Sequence, residues 1–69
     1  MFNFIFVILH YQNIDDTINC IDSIKKLQGL ENNYKIILVD NKSPNNTGKE
    51  LEKKYINDST IETILLEKN

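Results

Sequence analysis

Short apolar runs alternate along this chain with segments of helical period. Phe4 to Leu9 (FIFVIL) is continuous and rich in β-branched and aromatic residues. Runs without alternation fit a central parallel strand covered on both faces, so a fully buried strand is expected here. His10 to Asn13 is a polar loop. From Ile14 the period changes: Ile14, Ile18, Ile21, Ile24 and Leu27 recur at spacings of four and three, on one helical face. Asn13 or Asp15 supplies an N-cap, Asp15 and Asp16 put acid in the first turn, and Lys25 and Lys26 put base in the last. With Gly29 at C′, these signals predict a helix over Ile14–Gln28. Cys20 falls beside the apolar stripe, as a small flanking residue.

Lys35 to Asp40 (KIILVD) is a second buried-type strand that ends in an acid. Asn41 to Gly48 (NKSPNNTG) is the strongest turn segment of the chain. Thr47 and Glu50 have capping-box spacing, which predicts a second helix from Thr47, with Leu51, Tyr55 and the Lys54 stem as its apolar stripe. That helix fades at Asn57-Asp58, and Thr60 to Leu66 (TIETILL) reads as a third strand. The order predicts an α/β fold, a three-layer parallel βαβαβ unit with strand order 3-2-1 and right-handed crossovers. No repeat, low-complexity tract or linker divides residues 1–69 into domains.

Composition narrows the class. Sixty-nine residues bury only about 60% of the surface exposed by the unfolded chain, so the core is thin. Two open sheet edges and the absence of a helix after the third strand predict the front half of a larger domain, marginal or oligomeric by itself. Eight lysines against ten acids, with no arginine, argue against a nucleic-acid partner. One cysteine and one histidine exclude an intrachain disulfide and a cysteine-based zinc cluster. Met1 to Leu9 lacks a basic n-region and a cleavage site and is too short to span a bilayer, so a cytoplasmic location is expected.

In open parallel sheets ligands bind beyond the carboxyl ends of the strands. Two loops lie there: His10-Tyr11-Gln12-Asn13 and Asp40-Asn41-Lys42-Ser43. Together they offer an aromatic face, an amide and a carboxylate, which suits a base stacked on a ring and read at its polar edge. With only two glycines, the chain has neither G-x-G-x-x-G nor a P-loop.

These loops also carry a family resemblance. FVILHYQNIDDTINCIDSI, followed by YKIILVDNKSPNNTGKELEKKY, resembles the start of an inverting family 2 glycosyltransferase, and more narrowly its rhamnosyl- and capsule-type members. The aromatic-Asn turn is Tyr11-Gln12-Asn13, and the second strand ends in Val39-Asp40-Asn41-Lys42-Ser43. The resemblance spans residues 3–56. It implies the amino-terminal, nucleotide-sugar-binding half of a GT-A fold. Tyr11 would stack on the pyrimidine of a UDP- or dTDP-sugar. Asp40 would hold its loop or contact the nucleoside. Asn41 stands where many members have a second Asp that reads the uracil N3–H, and offers an uncharged carbonyl instead. His10 replaces a small or amide residue and would point toward the donor.

The resemblance further implies Mg or Mn for the full-length family, but no cofactor in this chain. The Asp-x-Asp metal motif and the catalytic base would both come later, and Glu50-x-Glu52 sits at a helix start. The full-length enzyme would transfer a sugar to a glycan acceptor, and would associate with a membrane face. This chain alone would bind a pyrimidine nucleotide-sugar weakly, without turnover, and would self-associate through its sheet edges. Two other readings compete. One is a catalytically silent self-association module, and the other a phosphoacceptor domain suggested by Asp15-Asp16, which lacks the acid required after a third strand. Asp40 as a turn-capping carboxylate and Tyr11 as a cover for the sheet end are the plain alternatives at the site.

Overall fold

A computed structural model describes residues 4–27 and 33–66. The elements follow the expected order: strand β1 (Phe4–His10), helix α1 (Ile14–Lys25), strand β2 (Tyr34–Asp40), a 3₁₀ turn at Pro44–Asn46, helix α2 (Thr47–Tyr55) and strand β3 (Ile61–Leu65). All pairing is parallel and the sheet order is β1-β2-β3, with Phe4 opposite Tyr34, His10 opposite Asp40, and Asp40 opposite Leu65. The expected strand order, read from the other edge as 3-2-1, is the order found.

Both crossovers step across the sheet in the same direction. With the common right-handed connection, such steps place both helices on one face. The core bears this out. Ile21 of α1 and Leu51 of α2 meet Tyr34, Ile36 and Leu38 of β2 and Ile61 of β3, all buried. Phe6, Ile8, Ile14, Ile18, Ile24 and Tyr55 close around this cluster, and the Phe6 ring meets Tyr34 edge-on at 6.5 Å. The described residues therefore supply two of the three expected layers.

The other face of the sheet carries Ile5, Val7 and Leu9, which are 61%, 67% and 66% exposed. The expectation of a doubly covered first strand is thus corrected. Among the described residues β1 is an edge strand with one face against the helices, and the central position belongs to β2. Side-chain alternation puts Ile5, Val7 and Leu9 opposite Phe6, Ile8 and His10.

Helix α1 starts where expected. Asn13 is the N-cap, its side-chain Oδ1 accepting from the Asp16 N–H at 3.1 Å. It ends earlier than Gln28. The Lys26 N–H is shared between the Asp22 and Ser23 carbonyls, and Leu27 N–H reaches Ile24 O, tightening the last turn. Leu27 is consequently exposed, while Thr17 takes a buried place. The expected cap at Gly29 and the Glu67-Lys68 pair lie outside the described residues.

Helix α2 begins at Thr47 as expected, but not through a capping box. Its N-cap is Asn46, in left-handed backbone geometry and without a side-chain cap bond. Lys54 lies over the Tyr55 ring, 5.7 Å from its centroid. Beyond α2, Asp58 ties the far ends of the unit together. It accepts from Lys25 Nζ at 2.5 Å and from the Thr60 N–H and hydroxyl at 2.9 and 2.6 Å. Burial pushes the Asp58 carboxyl up, but these hydrogen bonds outweigh it and hold the group below the usual carboxylate range.

Candidate functional site

The carboxyl ends of β1 and β2 release the two loops side by side. The ladder runs past the strands, with Asn41 N–H donating to His10 O at 3.0 Å and Leu66 N–H to Asp40 O at 2.9 Å. Gln12 turns the first loop at φ 54°, closing a three-residue turn in which Asn13 N–H meets Tyr11 O at 2.7 Å. The Gln12 N–H then donates to Ser43 Oγ at 2.8 Å, joining the two loops directly. Tyr11 projects at this junction, half-exposed at 49%.

Asp40 is buried, and its carboxylate accepts from the Ser43 N–H at 3.2 and 3.4 Å. It therefore holds its own loop, one of the two expected alternatives. Gly48 of α2 packs directly on it: a Cβ there would overlap the Asp40 Cγ and Oδ2 and lie 2.8 Å from its Cβ. A cavity of about 410 Å³ opens beside Asp40 toward β3, lined also by Lys42, Ser43, Asn46, Lys49, Leu65 and Leu66. Two ammonium groups against one carboxylate leave this cavity net positive. Tyr11, His10 and Asn41 are not among its lining residues, so the structure joins Tyr11 to the Asp40 loop but not to this cavity.

His10 differs most from expectation. Its side chain is fully buried instead of facing a ligand. Nδ1 lies 2.6 Å from Thr17 Oγ1 on α1, and Nε2 lies 2.9 Å from Thr47 Oγ1 on α2. Burial lowers its pKa, and the nearby Asp40 carboxylate offsets this only in part. The Thr47 hydroxyl, expected to cap α2, is engaged with His10.

Local reasoning missed Thr17, Thr47 and Gly48 as parts of this arrangement. Gly48 left a signal. A glycine inside the first turn of a helix, in a chain with only two, marks a close backbone approach.

A divalent cation finds no fitting donor set among the described residues, where no three His, Cys, Asp or Glu side chains come together. Asp40 is the one acid of the cavity lining, and it is bonded to Ser43 and packed on Gly48. Nor is any described helix long and apolar enough to cross a membrane.

A parallel α/β unit with polar loops gathered at the carboxyl ends of its strands belongs to the broad class of Rossmann-like folds. Within that class the assignment is specific: the family model for glycosyl transferase family 2 matches residues 5–69, and the chain belongs to that family. Searches of curated proteins and of solved structures return no match. The three-stranded parallel sheet with its helices agrees with the amino-terminal portion of a GT-A domain.

Proposed function

We propose that this chain is the nucleotide-recognition part of an inverting glycosyltransferase whose donor is a pyrimidine nucleotide-sugar, UDP- or dTDP-linked, as in rhamnosyl- and capsule-type members. The observation that carries the reading is the Gln12–Ser43 hydrogen bond, which closes the Tyr11 loop onto the Asp40 loop beyond the strand ends. Tyr11 presents a ring face for the base, Asn41 a carbonyl for the N3–H, and Asp40 keeps the second loop in place. The net-positive cavity beside Asp40 suits the phosphate charge. The full-length enzyme, working at a cytoplasmic membrane face with Mg or Mn, would pass the sugar to a glycan acceptor. An acceptor hydroxyl deprotonated by a carboxylate would attack the anomeric carbon as the nucleotide leaves.

Base stacking on an aromatic ring contributes roughly 1–3 kcal/mol. With one or two hydrogen bonds at about 0.5–1.5 kcal/mol each, binding to this chain alone falls in the millimolar range. Titration with UDP, dTDP and ADP, followed by amide NMR, tests the reading. Shifts are expected at Leu9–Asn13 and Val39–Ser43, larger for the pyrimidines. Tyr11→Ala is expected to weaken UDP binding about tenfold or more with the fold intact, since the ring stands outside the core. Equal responses to ADP, or shifts confined elsewhere, would refute the assignment.

A second reading has its own observation. Ile5, Val7 and Leu9 lie exposed on the sheet face of an edge strand, and self-association through that edge and face would cover them. Sedimentation at micromolar concentration distinguishes it: a monomer at all concentrations removes this reading and leaves the first untouched.

A further inference from the structure

We propose that His10 is a positioning residue: its neutral imidazole, held between the Thr17 and Thr47 hydroxyls, fastens the first turns of both helices to the ends of β1 and β2 and so fixes how the Tyr11 and Asp40 loops meet. The inference rests on the reading of those loops as the nucleotide site, and it gives that site a protonation switch.

The geometry has three parts. His10 is the last residue of β1, pairs with Asp40 at the end of β2, and is followed immediately by Tyr11. Its ring nitrogens engage Thr17, the fourth residue of α1, where the first turn closes, and Thr47, the first residue of α2. Gly48, next to Thr47, packs on the Asp40 carboxylate. One ring thus touches both helices, and its neighbours in sequence and across the ladder are the two residues that launch the loops.

A neutral imidazole has one N–H donor and one bare nitrogen acceptor. Between two hydroxyls it donates to one and accepts from the other, so both contacts are satisfied by a single tautomer. Protonation makes both nitrogens donors. The threonine that had been donating must then turn its O–H away and accept instead, and its proton needs a new partner, in a buried place at Thr17 and a half-buried one at Thr47. On β2 the facing charge is the Asp40 carboxylate, while α1 and α2 present the uncharged Thr17 and Thr47 hydroxyls. Asp40 favours the imidazolium, but the buried surroundings oppose it more strongly. The unfolded chain therefore takes up the proton more readily than the folded one. The contribution of His10 to stability is complete above its ordinary pKa of about 6.5, and it is lost as pH falls through that value toward the lower folded one.

The decisive experiment follows the His10 ring nitrogens and the amides of Tyr11–Asn13 and Asn41–Ser43 by NMR from pH 8 downward, in the wild type, Thr47→Val and Thr47→Ser. In the wild type a single neutral tautomer is expected. The loop amides should move with the same midpoint as the ring, and that midpoint should lie below about 6.5. Thr47→Val, which keeps the shape and removes the hydroxyl, should displace the loop amides already at neutral pH and release the fixed tautomer. Thr47→Ser should restore both. A ring that titrates at its ordinary value, or one that titrates without the loop amides following, would overturn the proposal. If Thr47→Val fails to fold, the wild-type co-titration decides alone. Uridine diphosphate added across the same pH range separates this inference from the reading it builds on. Absence of binding at every pH refutes the nucleotide assignment, whereas the ring-to-loop coupling is read without ligand.

Discussion

Leu38→Ala is expected to leave most of the chain unfolded at 25 °C. Leu38 lies in the middle of β2 with no exposed surface, in the same cluster as Ile21, Ile36 and Leu51. It therefore stands where both helices converge on the sheet. Truncation of a buried leucine costs about 2–5 kcal/mol, from lost transfer free energy and from the cavity left behind. A core of this size supplies only about 3–5 kcal/mol of net stability. The loss is comparable to the whole. Leu9→Ala removes the same atoms from the open face and is expected to change stability by no more than about 0.5 kcal/mol. Urea unfolding followed by far-UV circular dichroism compares the two. Equal effects would mean that the helices do not cover the face of β2 on which Leu38 lies.

Gly48→Ala tests the approach of α2 to β2, and here two effects have opposite signs. Helix propensity favours alanine over glycine by about 1 kcal/mol. Sterics oppose it, because the new Cβ would overlap the Asp40 Cγ and Oδ2 and come within 2.8 Å of its Cβ. The Asp40 Cβ is fixed by the β2 backbone, so rotation of the carboxylate cannot clear all three contacts. The clash is expected to win, at a net cost of about 1–3 kcal/mol, with the Asp40–Ser43 hydrogen bonds displaced as well. A double-mutant cycle with Asp40→Ala isolates the cause. In that background the cost of Gly48→Ala should shrink by at least about 1 kcal/mol. An alanine that stabilises the wild type would show that the helix start can move away freely.

The strands were legible because each is a compact apolar run bounded by turn residues. Their order followed from the short crossovers. What the run Phe4–Leu9 could not reveal was its surroundings. An unbroken apolar stretch looks the same whether both faces are covered or one is left open, and Ile5, Val7 and Leu9 belong to the open one. At the site, Tyr11 and Asp40 stood out through their place at the carboxyl ends of the strands, Tyr11 just after β1 and Asp40 closing β2. His10 did not, because its partners are 7 and 37 residues away and no local spacing encodes them. The capping box at Thr47 and Glu50 failed for the same reason: its hydroxyl had a long-range competitor. Local rules describe what a side chain can do, and tertiary neighbours decide which of those options it takes.

The uncovered sheet face also has a calorimetric meaning. The heat capacity of unfolding comes mainly from apolar surface that passes from dry to hydrated, and a typical chain of 69 residues would show about 0.8–1 kcal/mol/K. Ile5, Val7 and Leu9 are largely hydrated before unfolding begins, so they add little to that change. The increment should fall below the size-based value. A smaller increment flattens the dependence of stability on temperature. The chain would then hold a nearly constant, modest stability over a wide range of temperature and melt through a broad transition with a small enthalpy.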